Sequence, residues 1–152
     1  MEYNRNFNGT QINGSSTISE VAGADMADCR NRIMKYDENG NVVLAAGGSD
    51  IPVGIALIEA GINDISGKES GKVAAGDDVD IQVKDIGYVL AGGEIGKGCE
   101  ITAGADGVAM AAEAGDYVVG IALTAVLAAG EYCRVQISRY QKGTVKEEGG
   151  TD

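Results

Sequence analysis

A chain of 152 residues is long enough for one hydrophobic core and short of the size at which chains divide. Apolar residues make up 44% but aromatics only 5%, so that core is a sum of many small contacts among Ala, Val and Ile. The net charge of -11, without a basic stripe, argues against nucleic-acid binding, and the absence of histidine excludes Ser-His and Cys-His nucleophiles. The charge is uneven: residues 37–140 carry sixteen acids and six bases, whereas residues 1–36 carry four of each. Surplus acid on the body serves solubility. Three cysteines, Cys29, Cys99 and Cys133, form no CxxC pair, so the expectation is free thiols in a reducing cytosol and no zinc. No apolar run reaches the roughly 18 residues of a membrane span, and Met1-Glu2-Tyr3-Asn4-Arg5 does not open a signal peptide.

In chain order, residues 1–24 are rich in Asn, Ser, Thr and Gly and show no apolar period, which reads as an extended N-terminal arm. The arm nevertheless holds the single phenylalanine, Phe7, with Tyr3, Arg5 and Ile12, residue types that anchor interfaces when a segment orders on a partner. A β domain is expected over 25–140. A strand over Cys29–Tyr36 turns at Asn39-Gly40 into Asn41–Ala45, and Ile51–Ala60 follows, with Pro52 at a strand start or edge and Gly54 at a bulge or close backbone approach. A loop occupies Gly61–Lys72. Further strands are expected at Val79–Val83, Ile86–Leu90, Ile101-Thr102, Val108–Ala111, Tyr117–Val126 and Tyr132–Tyr140, nine in all. Residues 141–152 read as a flexible tail.

The chain repeats itself. Val53-Gly54-Ile55-Ala56-Leu57 recurs as Val119-Gly120-Ile121-Ala122-Leu123, Asp50 matches Asp116, and Ala74-Ala75-Gly76 matches Ala128-Ala129-Gly130. Quasi-repeats over about 37–83 and 104–137 therefore predict one supersecondary unit used twice, in a small β-barrel or β-sandwich.

Chemical motifs are sparse along this frame. Asp37, Asn39 and Asn41 alternate as in a calcium loop, but Val42 stands where the loop needs glycine, so a turn is expected. Gly92–Gly98 lacks both phosphate-loop and dinucleotide spacing. Asp78 and Asp80, beside Asp77, share one strand face at period two, the pattern of a solvated face. Lys84 lacks the setting of a lipoyl or biotinyl attachment lysine, although a carrier domain of that kind is the alternative that a duplicated Gly-Asp-rich β unit suggests. No catalytic, cofactor or metal residues emerge, and an enzyme is not expected.

The blocks Asp37–Ala45, Ile51–Ala56, Ala74–Val83 and Gly87–Ile95, then Ala105-Asp106-Gly107 and Val119–Ala122, taken in this order, resemble the capsid decoration, or head cement, proteins of tailed bacteriophages. The resemblance covers about Ala24–Ile137. It departs at Gly98-Cys99, where that family often has Gly-Asp, and does not reach the arm. It implies a small β protein, commonly a homotrimer, on the outer capsid surface of a virion. There it would bridge major capsid protein subunits and stabilise the shell, after synthesis in the host cytoplasm. The expected capsid contacts are Tyr3, Arg5, Phe7 and Ile12, with no nucleic acid, membrane or small-molecule substrate as partner. A tail or fibre component of a virion is a further alternative.

Overall fold

Alternation is the local rule that builds the strands. In Asp78-Val79-Asp80-Ile81-Gln82 the side chains of Val79 and Ile81 are buried while Asp78 and Asp80 face solvent, as the two-residue period of an extended chain demands. The same holds at the other end of the chain, where Cys133, Val135 and Ile137 turn inward and their neighbours outward. The computed structural model describes residues 15–57 and 71–144. Its strands are β1 (Thr17–Val21), β2 (Ile33–Tyr36), β3 (Val42–Leu44), β4 (Pro52–Ala56), β5 (Asp78–Gln82), β6 (Ile86–Leu90), β7 (Glu100–Ala103), β8 (Ala109–Ala111), β9 (Tyr117–Ala122) and β10 (Tyr132–Gln141). A short 3-10 turn, Ala105–Gly107, precedes β8.

The strands form two five-stranded antiparallel sheets, ordered β1-β5-β4-β2-β3 and β6-β10-β9-β7-β8. Adding five to each strand of the first order yields the second, so a single five-stranded unit is used twice. Smaller features repeat with it. Ala22 bridges Val42 in parallel as Ala91 bridges Ala109, and Met26 bridges Val73 as Ile95 bridges Val126. Asp37 N–H donates to Asn41 O at 2.7 Å, and Gly104 N–H to Val108 O at 2.7 Å. The all-β fold expected from sequence is present, but neither sheet closes into a barrel. Each brings its edge strands together only at the Ala22–Val42 or Ala91–Ala109 bridge, with no ladder between β1 and β3 or between β6 and β8.

Each unit has a core. Ala22, Met26, Cys29, Met34, Val79 and Ile81 belong to the first. Val89, Ile95, Ile101, Val119 and Val135 belong to the second, which also takes in Ile33, Ala45 and Ile55 from the first unit. Ile33 opposes Ile55 across β2–β4, and Glu100 opposes Ile121 at the matching place across β7–β9. Where Ile33 is fully buried, Glu100 accepts from Tyr140 Oη at 2.6 Å and pairs with Lys142 Nζ at 3.2 Å. The first unit thus offers an apolar side chain to its neighbour, and the second shows a charged one, a polar end to a two-unit array.

Gly54 and Gly120 explain the repeated pentapeptide. A Cβ on Gly54 would lie 2.1 Å from Gln82 O, and one on Gly120 would lie 2.3 Å from Gln136 O, so only glycine lets the strands approach. Pro52 opens β4, where its missing N–H is tolerated. A bulge follows, since Met34 faces Gly54 but Lys35 faces Pro52.

Residues 17–21, within the stretch read as an arm, make β1, which pairs with β5 from Thr17↔Gln82 to Val21↔Asp78. None of its residues is fully buried, so backbone bonds rather than burial define it. The strand expected over Ile51–Ala60 is observed as Pro52–Ala56. Residues 58–70, which hold most of the expected loop, and the tail from 145 onward lie outside the described residues.

Candidate functional site

Strand β4 runs along the seam between the units, and a concavity lies at each of its ends. The first is a cleft of about 550 Å³ whose walls include Asn31, Ile55, Leu57, Ile86, Tyr88 and Tyr132. Tyr88 opposes Arg134, and Tyr132 opposes Leu90 in the β6–β10 ladder, so the two rings sit diagonally on one outer face. Both are 56% exposed. Asn31 joins the units at this point. Its backbone is left-handed, φ +57°, a conformation Asn tolerates better than most residues. Its N–H donates to Ala56 O at 2.9 Å, its carbonyl accepts from Leu90 N–H at 2.8 Å, and its Nδ2 donates to Tyr88 O at 3.0 Å. Its Oδ1, shut off from bulk water, has no hydrogen-bond partner among the described residues. Gln82 Nε2 donates to Ile86 O at 2.8 Å and to Lys84 O at 3.0 Å, fixing the start of β6.

The second concavity, about 530 Å³, is lined by Lys35, Tyr36, Asp50, Ile51, Pro52 and Arg139. Lys35 Nζ meets Asp50 Oδ1 at 3.0 Å, and Ala46 N–H donates to Asp50 Oδ2 at 2.7 Å. Burial pushes the Asp50 carboxyl up, but these donors outweigh it and hold the group below its usual range. Arg139 donates from Nη1 to Pro52 O at 3.1 Å. Tyr36 bonds the Glu20 carboxylate, which raises the phenol above its ordinary range, with burial adding to the shift. Tyrosine and arginine on a partly apolar rim are the residue types that concentrate binding energy at protein interfaces.

No protein-family model matches the sequence, nor does any curated protein. Among solved structures, the chain is similar to the N base of the head fiber protein gp8.5 of bacteriophage phi29. The TM-score is 0.59 at 23% identity, over 82% of this chain and 95% of that one. At this identity the likeness to the phi29 head-fiber base is one of fold.

Of the residues expected to make contacts, Tyr3, Arg5, Phe7 and Ile12 lie outside the described residues. The acidic run does not converge: Asp77, Asp78 and Asp80 are exposed, and Asp77 Oδ2 accepts from Ala74 N–H at 3.1 Å. Asp37 Oδ1 accepts from Asn39 N–H at 2.8 Å and from Asn41 N–H at 3.0 Å, so the alternating Asp-Asn stretch is a turn, with Gly40 left-handed at φ +80°. Lys84 is exposed in the turn from β5 to β6. All three cysteines are free. Burial raises the Cys29 thiol to about 11, the Asp28 charge adding to it, and burial also raises Cys133, whose Sγ donates to Thr124 O at 3.4 Å. Among the described residues, no three His, Cys, Asp or Glu side chains come together as a metal site would require. Sequence reasoning missed Asn31. The signal was available in the repeat itself, where Gly98 holds the matching left-handed position at φ +86°.

Proposed function

We propose that the chain is a structural virion protein that binds the outside of a phage capsid and stabilises the shell by bridging major capsid protein subunits. The observation that carries this reading is the fold shared with the phi29 head-fiber base, which the alignment covers almost end to end. The ordered blocks of sequence resemblance to decoration proteins support it independently. In this reading the duplicated body is a rigid spacer, self-associated as a homotrimer, and the N-terminal arm reaches the shell through Tyr3, Arg5, Phe7 and Ile12. Repetition over an icosahedral surface lets modest single-site affinities add. A second reading, favoured by the name of the similar structure, makes the chain the base of a fibre on the phage head.

The test is co-sedimentation of the purified chain with expanded capsids that lack it. Saturable binding is expected, and deletion of residues 1–14, which leaves β1 whole, is expected to abolish it while the circular dichroism spectrum stays unchanged. Failure of the full chain to bind rejects the capsid reading. Full binding by the truncated chain rejects the role of the arm.

A further inference from the structure

We infer that the outer face of strands β6 and β10 binds the outer face of β1 and β5 in a second copy of this chain, and that this head-to-tail contact closes the homotrimer. The repeat builds both faces on one scaffold. In the second unit Arg134 opposes Tyr88 and Tyr132 opposes Leu90. In the first, Asp80 opposes Ser19 and Asp78 opposes Val21. Matched through Ala74-Ala75-Gly76 and Ala128-Ala129-Gly130, Arg134 stands where the first unit has Asp80, and Tyr88 where it has Ser19. Alternation along the strands leaves both faces open. Tyr88 and Tyr132 are each 56% exposed, and Arg134, Asp78 and Asp80 are exposed as well. Among the described residues Arg30, Lys35 and Lys142 hold ion pairs, whereas Arg134, Asp78 and Asp80 hold none.

Two properties select a second copy as the occupant. The first is charge: a basic centre complements an acidic one, whereas either face packed on its own kind would bring like charges together. The second is size. The face bearing Ile86, Tyr88 and Tyr132 is bulky, and the matching positions of the other hold Thr17, Ser19 and Asp78, so large side chains meet small ones as packed sheet faces require. Tyr and Arg at its centre are also the residue types that concentrate binding energy. Within one chain the two faces do not meet, since Arg134 pairs with neither aspartate. Contact between unlike faces of identical chains is heterologous and forms a ring where its rotation closes. Three-fold closure gives the homotrimer of the proposed function, on which this inference rests.

The test is sedimentation velocity of the isolated full chain over a range of concentrations, with circular dichroism to confirm that each variant folds. A trimer is expected. Arg134→Glu and Asp80→Arg are each expected to raise the concentration of half-dissociation about a hundredfold, because like charges then meet. The double variant, with the charges exchanged, is expected to recover most of that loss. Lys97→Glu, the same charge change at an exposed site off both faces, is expected to leave the trimer unchanged. Tyr88→Ala, expected to weaken the trimer about tenfold, keeps the test decisive if a charge reversal fails to fold. A trimer indifferent to these substitutions, or a double variant no better than the single ones, overturns the inference and leaves the homotrimer standing. A discrete dimer, or a chain monomeric up to about 1 mM, overturns both, while co-sedimentation with capsids decides shell binding separately.

Discussion

Substituting alanine at Gly54 and at Gly120 tests the duplicated architecture at its tightest points. The added Cβ would meet the facing backbone carbonyl at 2.1 Å in one unit and 2.3 Å in the other, whereas a relaxed carbon–oxygen contact needs about 3.3 Å. Relief requires the strands to part by about 1 Å. Bonds such as Leu57 N–H to Asp80 O, now 3.0 Å, and Leu123 N–H to Arg134 O, now 2.7 Å, would then stretch to or beyond the hydrogen-bonding limit. Overpacking costs about 1–3 kcal/mol and each lost backbone bond about 1 kcal/mol, so about 3 kcal/mol is expected for either substitution. With a urea m-value of roughly 2 kcal/mol/M, each variant's midpoint, read by far-ultraviolet circular dichroism, should fall by about 1.5 M. Because the geometry is shared, the two losses should agree to within about 1 kcal/mol. A loss below about 1 kcal/mol at either site would refute the argument from close approach.

Ile33→Ala removes a fully buried side chain that ties the first unit to the second core and should cost about 2–5 kcal/mol in the same assay, whereas Leu127→Ala, at a residue 79% exposed, should stay within about 0.5 kcal/mol. The Arg30 guanidinium, 2.8 Å from Asp28, holds that carboxyl below its usual range, so its stabilising contribution is present above the unfolded carboxylate pKa and fades as pH falls through the lower folded value. Asp28→Asn should therefore cost under about 1 kcal/mol at neutral pH, with the gap to the native chain closing below about pH 4; a gap that widens on acidification would contradict the assignment. Thiol titration with an aromatic disulfide should find partly exposed Cys99 reactive in the native chain, while buried Cys29 and Cys133 react only once urea unfolds it.

Nine strands were legible because one face of each is buried, or because a turn residue such as Gly40 marks its end. β1 was not. Thr17-Ile18-Ser19-Glu20-Val21 is an edge strand with no fully buried residue, so its membership rests on backbone bonds to β5 that leave no mark on composition. Its counterpart β6, Ile86-Gly87-Tyr88-Val89-Leu90, shares no letter with it in register, which is why the sequence repeat began only at the turn after β2. The repeat stayed visible at Gly54 and Gly120, where one backbone contact constrains both copies. The seam was hidden for a different reason: Asn31 is 57 residues from Tyr88 in sequence, and only the fold makes them neighbours.

Cryo-electron microscopy of purified virions that carry this chain decides whether it coats the head. If the proposal holds, density for the paired five-stranded sheets is expected on the outer surface of the head, in contact with the major capsid protein and repeated with the symmetry of the shell. Density confined to the tail would rule the capsid proposal out.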